Sequence, residues 1–153
     1  MMGFRTFLTL YPFGLLLSVV LLLTGASKAA EPVVPAAGSP EWNAICDEMR
    51  NHLWGNGEID SRRGQFLFKI QWIKVQGDYA AFQGSPVTPD GSTAPWLPNV
   101  VYTAFLKRGG SGWAVVADLS RANPSDDAKI RSRFPKEIPT SIIPESWRGR
   151  LGR

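Results

Sequence analysis

Residues 66–83 read FLFKIQWIKVQGDYAAFQ, and this stretch decides the fold of the 153-residue chain. Apolar residues alternate with other residues from Phe66 to Trp72, and the apolar positions then continue one step out of phase at Ile73 and Val75. A period of two predicts a long β-strand, and the change of phase predicts a bulge or bend near Trp72.

Two β-hairpins are predicted from the turns that follow strand patterns. Gly77-Asp78 is a two-residue turn with glycine first, so Tyr79 to about Gln83 is predicted to be the returning strand. Residues 100–108 and 113–120 also have strand composition, and Gly109-Gly110-Ser111-Gly112 joins them. The sequence therefore predicts four antiparallel strands.

A helix is predicted before the first hairpin. Ser39 can cap it and Pro40 suits its first turn, while Gly55-Asn56-Gly57 ends it. Its apolar residues recur at spacings of three and four, at Trp42, Ile45, Cys46, Met49 and Leu53.

A second, short helix is predicted after the second hairpin. It starts at Asn123 or Ser125 and finishes before Pro135. The remainder is predicted to be an irregular segment that docks on the body through its apolar side chains, Ile138, Ile142, Ile143 and Trp147.

These elements predict an α+β fold in which an N-terminal helix packs on a four-stranded antiparallel sheet, as in cystatin-like or NTF2-like proteins, followed by a short C-terminal helix and an irregular tail. The predicted organisation is a signal peptide at 1–29, a Pro-rich linker at 30–40, a single α+β domain at 41–147 and a basic tail at 148–153. We expect the basic tail to be a frayed, solvated end.

Residues 1–29 have the three regions of a secretory signal peptide. Arg5 precedes an apolar run at 13–23, and small residues lead to Ala29, after which we expect cleavage. Retention as a membrane anchor is the alternative. Cleavage predicts a periplasmic or extracellular protein with no membrane contact. Because it holds a single cysteine, Cys46, its stability must come from packing, and we expect that thiol to be a small buried hydrophobe.

The charge of the chain argues against a nucleic-acid partner. Removal of residues 1–29 takes away Arg5 and Lys28, so the formal net charge falls from +4 to +2. The remaining cations form no basic stripe interleaved with aromatic residues, and the leader predicts export.

The segment 84–98 is predicted to be a long loop because it holds four prolines and no hydrophobic period. Long loops in compact domains are often functional. Trp96, between two prolines, is a candidate contact residue together with Pro95 and Asp90, although it could equally cap the open end of the sheet. We therefore expect an exported, non-enzymatic binding or accessory module that contacts an envelope protein or a cell-envelope ligand through this loop.

The competing expectation is a small hydrolase or isomerase with a cone-shaped pocket. Its weak catalytic candidate is Asp118, which alternation places on the opposite sheet face from Trp113 and Val115. A solvated carboxylate, or one paired with Arg121 or Lys107, is the simpler interpretation. A deep enclosed pocket at Asp118 would favour the enzyme, and a filled sheet face would favour the module.

No cofactor or metal site is predicted. His52 lies four residues after Glu48 on the first helix, which is typical of a hydrogen-bonded surface pair, and no third ligand is evident. The Gly109–Gly112 segment lacks the lysine and helix of a phosphate-binding loop.

The hairpin residues carry a resemblance to a known group of proteins. The run at 72–82, Pro86, Asp90-Gly91 and the runs at 101–108 and 113–116 resemble those of small uncharacterised exported bacterial proteins, over roughly residues 41–144. The resemblance implies export and a helix with two hairpins, and it implies no activity for any residue.

Overall fold

Three α-helices and a four-stranded antiparallel sheet make up residues 30–153, the part of the chain that a computed structural model describes. The predicted α+β class and antiparallel sheet are confirmed, whereas the predicted signal peptide lies outside the described residues. Across residues 30–153, no helix is both long enough and apolar enough to cross a membrane.

The strands form a meander, each paired with the next in the chain, so that β1 and β4 are the two edges of the sheet. The elements in chain order are α1 (Pro40–Gly55), β1 (Leu67–Gln76), β2 (Tyr79–Val87), β3 (Tyr102–Gly109), β4 (Gly112–Asp118), α2 (Asp127–Arg133) and α3 (Glu145–Leu151). A 3₁₀ turn at Pro124–Asp126 precedes α2, so the α-helix starts later than the predicted Asn123 or Ser125.

Helix α1 has the predicted ends. The Ser39 side chain accepts a hydrogen bond from the Trp42 backbone N–H at 3.3 Å, and Pro40 opens the first turn. At the other end, the Asn56 N–H donates to the His52 carbonyl. The apolar face is buried through Ile45, Cys46, Met49 and Leu53.

The predicted bulge in β1 is present. Ile70 pairs with Gly84 and Trp72 pairs with Gln83, so Gln71 has no partner across the strands. Because of this extra residue, Ile70 and Ile73 both contact the α1 side of the sheet, while Trp72 packs on the opposite side.

Strand β2 extends to Val87, so the segment predicted as a loop from Gly84 begins only at Thr88. Gly84 and Pro86 are residue types that are uncommon within strands, so the end of β2 is not predicted from the sequence. Gly84 is favoured because a Cβ there would lie 3.0 Å from the Phe82 ring and 3.2 Å from the Lys69 carbonyl oxygen, closer than most Cβ contacts. Pro86 is tolerated because β3 pairs with β2 only as far as Gly84, which leaves Pro86 on a local edge.

Both faces of the sheet are covered. On one face, α1 packs on Phe82, Tyr102, Ala104 and Leu106. On the other face, Ala81 and Phe105 lie under the C-terminal segment, which contributes Phe134, Ile138, Ile142, Ile143, Trp147 and Leu151. The predicted docking of the isoleucines and Trp147 is confirmed.

The basic end of the chain is not the irregular tail that the sequence predicts. Helix α3 continues to Leu151, which is only 5% exposed. Trp147 and Leu151 lie one helical turn apart, so both reach the sheet from one face of the helix. Arg150 forms an ion pair with Asp127 at 2.8 Å, which joins α3 to α2.

The segment 30–40, predicted to be an extended linker, lies against the outer edge of β1. Val33 and Val75 exchange two backbone hydrogen bonds of 2.8 Å, and the Gln76 side chain donates to the Ala30 carbonyl at 2.5 Å. Pro35 is buried. This segment is therefore held by the domain.

Candidate functional site

A second bulge, in β4, decides where Asp118 points. Phe105 pairs with Ala117 and Leu106 pairs with Val115, so Val116 is an extra residue. Beyond it the alternation is reversed, and Asp118 lies opposite Ala104 on the α1 side of the sheet. The prediction that Asp118 faces away from Trp113 and Val115 is therefore wrong.

The partner of Asp118 is His52, in the last turn of α1. The His52 Nε2 lies 2.9 Å from the Asp118 Oδ2, and both side chains are partly exposed, at 26% and 29%. The other carboxylate oxygen, Oδ1, accepts hydrogen bonds from the Ser120 backbone N–H at 2.9 Å and from the Ser120 hydroxyl. The predicted pairings of His52 with Glu48, and of Asp118 with Arg121 or Lys107, are not formed.

An ion pair lies close by. The Arg121 guanidinium donates to the Glu58 carboxylate, and this hydrogen bond raises the pKa of Arg121. The hydroxyl of Tyr102 is buried near these charges, beside the Glu58 carboxylate. Burial raises the pKa of Tyr102 to about 12, and the Glu58 charge acts in the same direction, so the phenol is neutral.

A groove of about 550 Å³ opens to solvent between the end of β4 and α2; we name it the β4–α2 groove. Its apolar lining consists of Val116, Ala117, Leu119, Ala122, Ile130 and Phe134. Its charged lining consists of Glu58, Asp118, Arg121, Asp126, Lys129 and Arg133. The groove is an open depression, and it is not the enclosed cone that the enzymatic alternative requires.

Two cations of α2 face this groove. Lys129 and Arg133 are four residues apart, on one side of the helix, and both line the groove. Neither lies within ion-pair distance of a carboxylate in the described part of the chain. Asp126 is also free of an ion pair there, whereas Glu58 and Asp118 are paired.

The structure places the predicted loop residues elsewhere. The loop that connects β2 to β3 runs from Thr88 to Val101, and none of Asp90, Pro95 and Trp96 lines the β4–α2 groove. Trp96 is half-buried against the α1-side core, and Pro95 is exposed.

The Asp90 carboxylate closes a turn within the loop. It accepts hydrogen bonds from the Thr88 hydroxyl at 2.5 Å and from the Ser92 hydroxyl and backbone N–H. These hydrogen bonds, the one from Thr88 first, lower the pKa of Asp90.

Cys46 is 6% exposed and packs in the α1-side core. Burial raises the pKa of its thiol to about 11, so the group is neutral and packs as a small apolar side chain. Among residues 30–153, no three His, Cys, Asp or Glu side chains lie close enough together to hold a metal ion.

Sequence reasoning missed the groove and the His52–Asp118 pair. The spacing of Lys129 and Arg133 was a usable signal, because residues four apart in the predicted second helix must share a face. The His52–Asp118 pair had no such signal, since it joins residues 66 positions apart.

Comparisons with protein-family models, with curated proteins and with solved structures find no match to this chain.

Proposed function

We propose that the protein is an exported, non-enzymatic binding module whose partner, an envelope protein or a cell-envelope ligand, contacts the β4–α2 groove. The observation that carries this proposal is the filling of both sheet faces, by α1 and by the C-terminal segment. The described residues therefore leave no cone interior between sheet and cover to enclose a substrate, and their open groove is suited to contact with a larger partner.

The chemistry of Asp118 supports the same conclusion. One carboxylate oxygen accepts from Ser120 in the turn that ends β4, and the other lies beside His52 of α1, so both are engaged in structural contacts. Val116, 39% exposed, adds an apolar contact surface at the groove.

Filling the groove should abolish capture of the partner. We expect Val116→Trp to prevent the exported protein from retaining its partner from envelope extract, because the indole would occupy the depression. The matched control is Val100→Trp, which changes the same residue type at 41% exposure outside the groove and should retain capture. If Val116→Trp still captures the partner, the contact surface does not lie in the groove. If Trp96→Ala loses capture, the contact surface lies in the predicted loop.

A general-base hydrolase or isomerase is the second candidate, and the His52–Asp118 pair is the observation that favours it. A histidine held by a carboxylate at one ring nitrogen can accept a proton at the other. If the parent protein hydrolyses or isomerises a substrate, its catalytic rate should fall in both His52→Gln and Asp118→Asn and persist in Val116→Ala. That result would support this candidate over the binding module.

Export and fold type are further parts of the proposal. We expect N-terminal sequencing of the exported protein to begin at Ala30, and a protein that still carries residues 1–29 would instead be membrane-anchored.

Of the two architectures that the sequence predicts, we favour the cystatin-like one, because a single helix precedes a four-stranded meander.

A further inference from the structure

Residues 129–153 carry a high density of positive charge. Residues 129–153 contain seven Lys and Arg and two Glu, a net charge of +5, whereas residues 30–128 contain eight Lys and Arg and eleven Asp and Glu, a net charge of −3. The low net charge of the described chain is therefore the sum of a basic C-terminal region and an acidic remainder. Such a separation attracts an anionic partner towards one side of the molecule.

The cations nearest to a binding surface are those of the β4–α2 groove. Lys129 and Arg133 line it from α2, and both are exposed and without a carboxylate partner in the described residues. Arg121 lines the opposite side, where Glu58 holds it. The lining holds three carboxylates, of which Glu58 contacts Arg121 and Asp118 contacts His52. Asp126 alone lacks such a partner in the described residues, against two cations that lack one.

We propose that the ligand of the β4–α2 groove is an acidic polypeptide segment with apolar side chains between its carboxylates. Its carboxylates contact Lys129 and Arg133, and its apolar side chains contact Val116 and Ile130. This inference rests on the proposed function, because it names the chemistry of the partner at the same groove.

The shape and lining of the groove favour a polypeptide over other anions. A bilayer surface is flat and cannot follow a depression, and a polysaccharide offers few apolar groups to Val116, Ile130 and Phe134. Arginine and lysine suit carboxylates on a partner, because charge complementarity steers encounter and suppresses wrong partners.

The free edge of β4 also suits a polypeptide. The Leu119 N–H donates to the Thr103 carbonyl at 2.8 Å, so by alternation the backbone N–H and C=O of Asp118 point away from β3. The bulge at Val116 interrupts regular pairing, and we therefore expect side chains to contribute most of the affinity.

The test uses random peptides of about twelve residues, displayed and selected on the purified exported protein. We expect the selected peptides to combine Asp or Glu with Leu, Ile, Val or Phe. Their affinity should fall about tenfold or more for the Lys129→Glu/Arg133→Glu double variant, and also when NaCl rises from about 0.05 M to about 0.5 M.

The matched control is Lys69→Glu/Lys136→Glu, which makes the same change in net charge at two exposed lysines outside the groove and should keep the affinity within about twofold. Thermal melting of both double variants should be close to that of the parent protein, since all four residues are exposed.

Several results would overturn the inference: no enriched peptide, enriched peptides without acidic residues, or an equal loss of affinity in the control. Vesicles with about 30% phosphatidylglycerol that bind more tightly than any selected peptide, and that lose binding in Lys129→Glu/Arg133→Glu, would assign the groove to lipid. If Val116→Trp abolishes capture and the charge reversal does not, the proposed function stands and this inference fails.

Discussion

A chain that ends at Pro144 is expected to lose about 4–8 kcal/mol of its free energy of unfolding, because it lacks α3 and with it the buried side chains of Trp147 and Leu151. The same truncation removes the ion pair between Arg150 and Asp127. Since small domains have a total stability of roughly 5–15 kcal/mol, much of this chain would be unfolded. Urea denaturation followed by circular dichroism measures the change.

The control for this truncation is a chain that ends at Gly152. It removes only Arg153, which is exposed, and should change the stability by about 0.5 kcal/mol or less. If the chain ending at Pro144 were as stable as the control, residues 145–153 would contribute nothing to the packing of the sheet, which would contradict the burial of Trp147 and Leu151.

Phe82→Ala is expected to destabilise the protein by roughly 3–5 kcal/mol. Phe82 is fully buried in β2, and its ring lies 4.9 Å from that of Phe68 in an edge-to-face arrangement. Truncation would leave a cavity between α1 and the sheet that the packed strands cannot close. The melting temperature and the urea midpoint should fall together.

Val116→Ala is the matched change at an exposed strand position and should cost about 0.5 kcal/mol or less. A Phe82→Ala protein as stable as Val116→Ala would contradict the packing of α1 on this face of the sheet.

The elements that the sequence predicts well are those with local signals. The Ser39 cap, Pro40 and the glycines after Leu53 mark α1 without reference to any other part of the chain. In β1, the polar residues Lys69, Gln71 and Lys74 reveal the phase of the strand, so the bulge beside Trp72 is visible.

The bulge in β4 has no such signal. Residues 113–117 read WAVVA, and because all of them are apolar, no alternation shows which face each one takes. The error at Asp118 follows directly from this, since one unrecognised extra residue inverts every position after it. The candidate site could not be assembled without the correct phase, because His52 meets Asp118 only on the α1 side.

Helix α3 is not predicted from the sequence for a different reason. It has seven residues and only two buried side chains, Trp147 and Leu151. So short a segment does not show a recognisable helical period of apolar residues. It is stabilised by contact with the sheet, and sequence propensity contributes little to so short a helix.

The cover of the second sheet face comes from residues 134–151, which are made after all four strands. During synthesis, Ala81 and Phe105 emerge well before the residues that shield them. The sheet therefore cannot complete its tertiary packing until residues 134–151 have been made, because contacts between residues so distant in sequence form late. Until then, its second face remains exposed apolar surface, which chaperones can bind.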